Sequence, residues 1–292
     1  MNSLLVSANN ISLCCSMVVG SRIIRKKLAI FLTFLSFSSG LLLEGFKLFT
    51  IKELVNKDLS EKEVLLILFL VMISFLIAQI IKTPLSLSKG IVISLLGLAL
   101  AKGFEINLFY TLNILLIWVL FPILSFLFTI IALKMDRKLS YKRVWIKIAT
   151  LKPLLLFSSF LTAYVIGSNT LSLLVALSDD KTLAQYLVLL GSFIGSFFFS
   201  GRILRFLGEE IFGIRYVSAF SSQTMGALMV ELATQLHIPV AVSENVTSSI
   251  MGSMLSYKTR VISLKKVLKL FLGWFLTPLI TLTLAFLLAM MI

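Results

Sequence analysis

A chain of 292 residues that is 59% hydrophobic and 14% charged, with 24 phenylalanines and a mean hydropathy of +1.04, carries more apolar sequence than a soluble core uses. The formal charge of +14 does not imply a nucleic-acid partner, because the basic residues fall in short segments between apolar runs, where positive charge fixes membrane orientation. The composition predicts an all-α, polytopic integral membrane protein whose solvent is the lipid bilayer.

Apolar segments near 3–21, 28–50, 63–82, 84–103 and 107–134 lead to the basic stretch "KMDRKLSYKRVWIK". Five more follow, near 150–178, 182–207, 216–237, 238–257 and 261–292. The organisation read from this is an N-terminal membrane repeat (1–133), a basic linker (134–149) and a C-terminal repeat (150–292). No basic region precedes the first segment, so a cleaved signal peptide is not expected. Cys14 and Cys15 are adjacent in an apolar run, which favours small packing residues over a metal site or disulfide. Segments 84–103 and 238–257, with their Pro, Ser and Gly, read either as spans or as re-entrant hairpins.

The halves echo one another. Asn9 in "SANNIS" recurs as Asn169 in "GSNTLS"; "TPLSLSKGIVISLLG" (83–97) recurs as "IPVAVSENVTSSIMG" (238–252); "WVLFP" (118–122) recurs as "WFLTP" (274–278). The three matches share one register. Five crossings per repeat invert the second copy. Positive-inside counting places Arg22, Arg25, Lys26, Lys27 and the linker on the cytoplasmic side of the cell membrane, with both termini and Asp179–Asp180 outside.

Inverted repeats with interrupted helices are the usual build of secondary transporters, whose substrate sits where broken helices point their termini. Each half offers two candidate interruptions, the Asn segment and the proline segment. A helix start presents free N–H groups and partial positive charge to an anion, and Pro84 and Pro239 suit the opening of a helix. Asn9 and Asn169, with the hydroxyls of Ser86, Ser88 and Ser243, are the candidate anion donors. The alternatives are that the Asn side chains cap or bridge helices and that the Ser hydroxyls bond their own backbone. Lys89 and Glu244 occupy equivalent positions of the two proline motifs, and ionisable residues inside a membrane usually pair or line a pathway. They are expected to approach one another across the repeat axis. Trp118 and Trp274 read as packing or interfacial anchors, and His237 as interfacial. Gln223 and Glu231 read as sharing an interior helix face, with Gln79 as the first-half counterpart.

These motifs resemble the inorganic phosphate transporter family, which includes phosphate and sulfate permeases. "SANNISLCCSMVVGS" and "GSNTLSLLVAL" look like its duplicated Gly-Ala-Asn-Asp signature, and "PLSLSKGIVISLLG" and "PVAVSENVTSSIMG" like its Pro-Val-Ser-Thr-Thr-His motif. The resemblance implies alternating-access transport of phosphate, or of sulfate as a related oxyanion, by a protein that is not an enzyme. It adds Asn10 and Thr170 to the candidate site, where the family carries its cation- and phosphate-binding Asp. Both lack a carboxylate, which argues against sodium coupling of the family's kind. Lys89 and Glu244 stand at the motif's terminal His position. They suggest a fixed positive charge in place of sodium and a proton-coupling carboxylate, so Na⁺ or H⁺ is the candidate coupling ion and no cofactor is expected. The six residues before the first signature are fewer than the family's leading helix provides, so a shortened or misplaced start is expected. A non-transporting sensor or assembly partner is the alternative, and self-association into a homo-oligomer is left open. A lipid-modifying enzyme fits poorly: one His and scattered aspartates (Asp58, Asp136, Asp179, Asp180) supply no catalytic cluster.

Overall fold

The computed structural model describes residues 1–81, 86–138, 144–200, 216–257 and 264–291. Within them the helices are α1 (Asn2–Gly20), α2 (Lys26–Glu44), α3 (Glu61–Ile81), α4 (Leu87–Lys102), α5 (Leu108–Lys138), α6 (Val144–Val165), α7 (Lys181–Ile194), α8 (Tyr216–Gln235), α9 (Val242–Tyr257) and α10 (Leu264–Ala289). α2 tightens into a 3₁₀ stretch, Gly45–Leu54. α6 widens into a π turn, Ile166–Leu171, before ending as Ser172–Ala176, and α7 runs into a second π turn, Gly195–Phe199. Apart from one isolated bridge between Val55 and Ile106, the described residues are helical or irregular.

Among the described residues six stretches are long and apolar enough to cross a bilayer: Asn2–Gly20, Lys26–Leu54, Leu108–Lys138, Lys147–Ala176, Lys181–Phe199 and Leu272–Ala289. Their outward faces carry large apolar side chains such as Leu43, Phe109 and Phe198, which are 65%, 79% and 73% exposed and need lipid as solvent. The chain is a multi-pass membrane protein.

Local chemistry sets the helix ends. Ser60 precedes α3 and its N–H donates to the Glu63 carboxylate at 2.8 Å, half of a capping box. Asp180 caps α7 by accepting from the Leu183 N–H at 2.9 Å. Gly103 closes α4 in the left-handed region at φ 66°. His237 adopts the same region (φ 62°) after α8, held because its carbonyl accepts from the Tyr110 hydroxyl at 2.8 Å.

Two sets of contacts define opposite ends of the bundle. At one, Lys52 reaches Asp179 at 3.0 Å, and that hydrogen bond and charge hold the exposed Asp179 carboxyl below its ordinary pKa. At this end the Asn56 N–H donates to Glu105 O at 3.1 Å and Lys102 pairs with Glu63 at 3.6 Å, so α3 starts where α4 finishes. At the other, Lys147 meets Asp136 at 2.6 Å, the Tyr216 hydroxyl donates to Ser21 O at 3.3 Å, and Arg137 donates to Ser256 O, so α8 starts where α9 finishes. The two hairpins, α3–α4 and α8–α9, thus enter from opposite ends. Their partners come from the other half of the sequence, with α4 lying along α10 and α9 along α5.

α2 and α6 approach closely enough that a Cβ on Gly40 would lie 2.0 Å from Tyr164 O, and one on Gly167 2.1 Å from Phe37 O. Such small-residue crossings are how helices pack without a hydrophobic drive between them.

The structure corrects two expectations. α1 is an unbroken helix through residues 7–12, so "SANNIS" opens no helix start. Pro239 lies before α9 rather than at its first turn, and its carbonyl accepts from Trp118 Nε1 at 2.8 Å. Trp118 and Trp274, 9% and 7% exposed within α5 and α10, are packed inside the protein beside a cavity, which is the packing alternative of the sequence expectation. Pro84 lies outside the described residues.

Candidate functional site

The two hairpins meet at the first turns of α4 and α9. Lys89, in the first turn of α4, donates to Glu244, in the first turn of α9, at 2.7 Å; the residues are 8% and 3% exposed. Two residues 155 apart in sequence, at equivalent places in a repeated motif, therefore form a buried ion pair. Lys89 Nζ also sits 5.1 Å from the Trp118 ring centroid, a distance at which the ring face attracts the ammonium. Coulomb attraction between buried charges offsets their loss of hydration only when geometry is good, and the 2.7 Å contact supplies it.

Two spaces adjoin the pair. A cavity of about 540 Å³ lies among α4, α5, α9 and α10, with Lys89, Glu244 and Ser248 among mostly apolar lining residues. A crevice of about 10 Å³, room for a single water, is lined by Ser86, Thr277 and Thr281 with the same pair.

Ser88 and Ser243 directly precede Lys89 and Glu244 in the two motifs. Both hydroxyls are buried and have no hydrogen-bond partner among the described residues. Each belongs to the first turn of its helix, where backbone N–H groups also lack intrahelical acceptors. A hydroxyl and unpaired N–H groups at a helix start are what an oxyanion needs, and the fold supplies that combination twice.

The Asn segments behave differently. Asn169, fully buried in the π turn, donates to Thr234 Oγ1 at 3.0 Å and to Ile238 O at 3.1 Å, and accepts from the Val240 N–H at 2.9 Å. Its amide is committed to holding the turn of the second hairpin. The π turn also packs against α1, α4 and α8, which brings the carriers of both motifs together. Thr170 is buried beside Asn169, whereas Asn9 and Asn10 are partly exposed on α1. Of the nine candidates, Ser86, Lys89 and Glu244 line the two cavities, Ser88 and Ser243 flank the ion pair in sequence, and Asn169 braces the hairpin.

Gln223 and Glu231 do not share a site. Gln223 is fully buried and donates to Cys14 O at 2.9 Å, while its carbonyl accepts from Ser158 at 3.3 Å. Glu231 lies near the far end of α8, accepting from Gln235, which also reaches Glu44 at 3.3 Å. The Gln79 side chain lies outside the described residues. Ser125, absent from the sequence reading, donates to Asn245 at 3.0 Å and ties α5 to α9; only its place in a wholly apolar stretch hinted at such a role. No group of three or more His, Cys, Asp or Glu is arranged to hold a metal among the described residues.

A protein of Methanocaldococcus jannaschii named as a phosphate permease is 28% identical over 214 residues, 72% of this chain and 69% of its own length. A Bacillus subtilis protein named as a low-affinity inorganic phosphate transporter is 26% identical over 115 residues, 39% of this chain and 34% of that one. A solved structure titled as the sodium-dependent phosphate transporter superimposes with a TM-score of 0.84 over 99% of this chain and 95% of its own, at 17% identity, and so shares the fold. The phosphate transporter family model matches residues 6–176 and again residues 149–285. With both halves of the chain covered, the protein belongs to the phosphate transporter family, a family of transporters and not of enzymes.

Proposed function

We propose that the protein is a secondary transporter of inorganic phosphate, with sulfate as the related oxyanion, working by alternating access between two inverted five-helix repeats. In this reading α3–α4 and α8–α9 are re-entrant hairpins. α4 and α9 have 16 residues each, about 24 Å, short of the roughly 30 Å hydrocarbon core. The observation that carries the proposal is the meeting of two opposed hairpins at Lys89–Glu244, with an unpartnered serine hydroxyl at each helix start. Ser88 and Ser243, with Ser86 and the nearby N–H groups, supply the donors, and Asn169 acts through the hairpin turn that it holds. Lys89 provides positive charge where sodium coupling has lost its carboxylates at Asn10 and Thr170. Glu244 is the proton-coupling group. The end bearing Arg22, Arg25, Lys134 and Arg137 is cytoplasmic by the positive-inside rule.

Uptake of labelled phosphate and sulfate into proteoliposomes, with sodium and proton gradients imposed separately, tests this. Phosphate accumulation driven by the proton gradient and lost in Glu244→Gln is expected; no uptake of either ion under any gradient rejects transport. A second reading, a binding sensor without flux, is favoured by one observation: Asn169 is fully engaged with the protein. Phosphate-dependent thermal stabilisation without uptake would select it.

A further inference from the structure

The 540 Å³ cavity is poorly suited to the ion the family carries. Apart from Lys89, Glu244 and Ser248 its lining is apolar or aromatic, and an inorganic oxyanion moving into it would exchange hydration for hydrocarbon. The walls are built from duplicated residues: Trp118 with Trp274, Val119 with Phe275, and Pro122 with Pro278. Val119 is 57% and Phe275 63% exposed on the outer faces of α5 and α10, both membrane-spanning stretches, so the cavity opens sideways into lipid. Pro122 falls near the midpoint of the 31-residue α5, the depth where acyl chains end.

We propose that this cavity is a lipid site, in which an acyl chain of a membrane phospholipid enters between α5 and α10 and packs against Trp118 and Trp274 beside the Lys89–Glu244 pair. The volume falls in the range of small-molecule sites, and hydrocarbon contact replaces the dispersion that an open apolar chamber forfeits. Because α4 and α9 each form a wall, the chain contacts both hairpins at once. Its length and bulk then bias how the hairpins sit against each other, and the bilayer gains a handle on the transporter that no water-soluble ligand uses.

Both cavity tryptophans are nearly hidden from the outer surface, which gives the test its contrast. A Trp145→Phe variant retains them as its only two tryptophans. It is reconstituted in phospholipid brominated near the chain ends and, separately, near the glycerol. The end-brominated lipid is expected to remove most of the emission and the shallow label much less. Filling the mouth from either wall, with Val119→Phe plus Ile123→Phe on α5 or with Leu279→Phe on α10, is expected to restore emission, with each variant's fold checked by its thermal transition. Emission unquenched by the deep label, as when a second copy of the chain covers this face, overturns the proposal. So does quenching that stays undiminished in both filled variants.

Discussion

Lys89 and Glu244 occupy one position in two copies of a motif, yet they carry opposite charges. Removing one partner leaves the other buried and uncompensated, so Lys89→Met or Glu244→Leu alone is expected to destabilise by about 3–5 kcal/mol, whereas the double apolar replacement recovers most of the loss. Unfolding in detergent measures all three, and a double variant no more stable than the singles would show that the pair is not coupled. Asn169 invites a different experiment. Asn169→Ala strands the Val240 N–H and the Ile238 carbonyl, at about 1–3 kcal/mol, and faster amide exchange across 238–241 is the expected readout. The equivalence of Lys89 and Glu244 was legible in the motif alignment, because the repeat register places them together. The commitment of Asn169 to the hairpin was not, since its partners lie about 70 residues away.

At the scale of elements, crossings decide what composition leaves open. α2 and α6 touch backbone to backbone at Gly40 and Gly167, and a methyl group at either meets a carbonyl oxygen. Gly167→Ala is therefore expected to overpack the crossing by about 1–3 kcal/mol, read as a lower thermal midpoint with the helix content unchanged. Apolar runs and polar breaks located most helix starts within a few residues, because lipid demands continuous apolar length, but α5 runs to Lys138 and α6 begins at Val144, so helix extends into the stretch 134–149 read as a linker. They did not locate the π turn in α6, which packs chiefly against α2 at Gly167 and leaves no mark in local periodicity. The unbroken course of α1 through two asparagines is the converse case: side-chain polarity alone does not end a helix whose backbone bonds are intact.

For the whole molecule, the two ends defined by Lys52–Asp179 and by Lys147–Asp136 make a prediction about sidedness. Single cysteines at Ser60 and Ser178, in a background free of Cys14 and Cys15, are expected to react with an impermeant reagent from outside intact cells. A cysteine at Ser21 is expected to react only after permeabilisation. The reverse pattern would invert the proposed orientation. By itself the sequence determined the membrane environment, the duplication and the equivalence of the two proline motifs, because hydropathy, charge and register are properties of the chain. Only the tertiary structure decided that the first turns of α4 and α9 touch, that Asn169 holds the turn of the second hairpin, and that an apolar chamber adjoins the ion pair. Those features depend on contacts between helices from opposite halves, whose distances no linear pattern encodes.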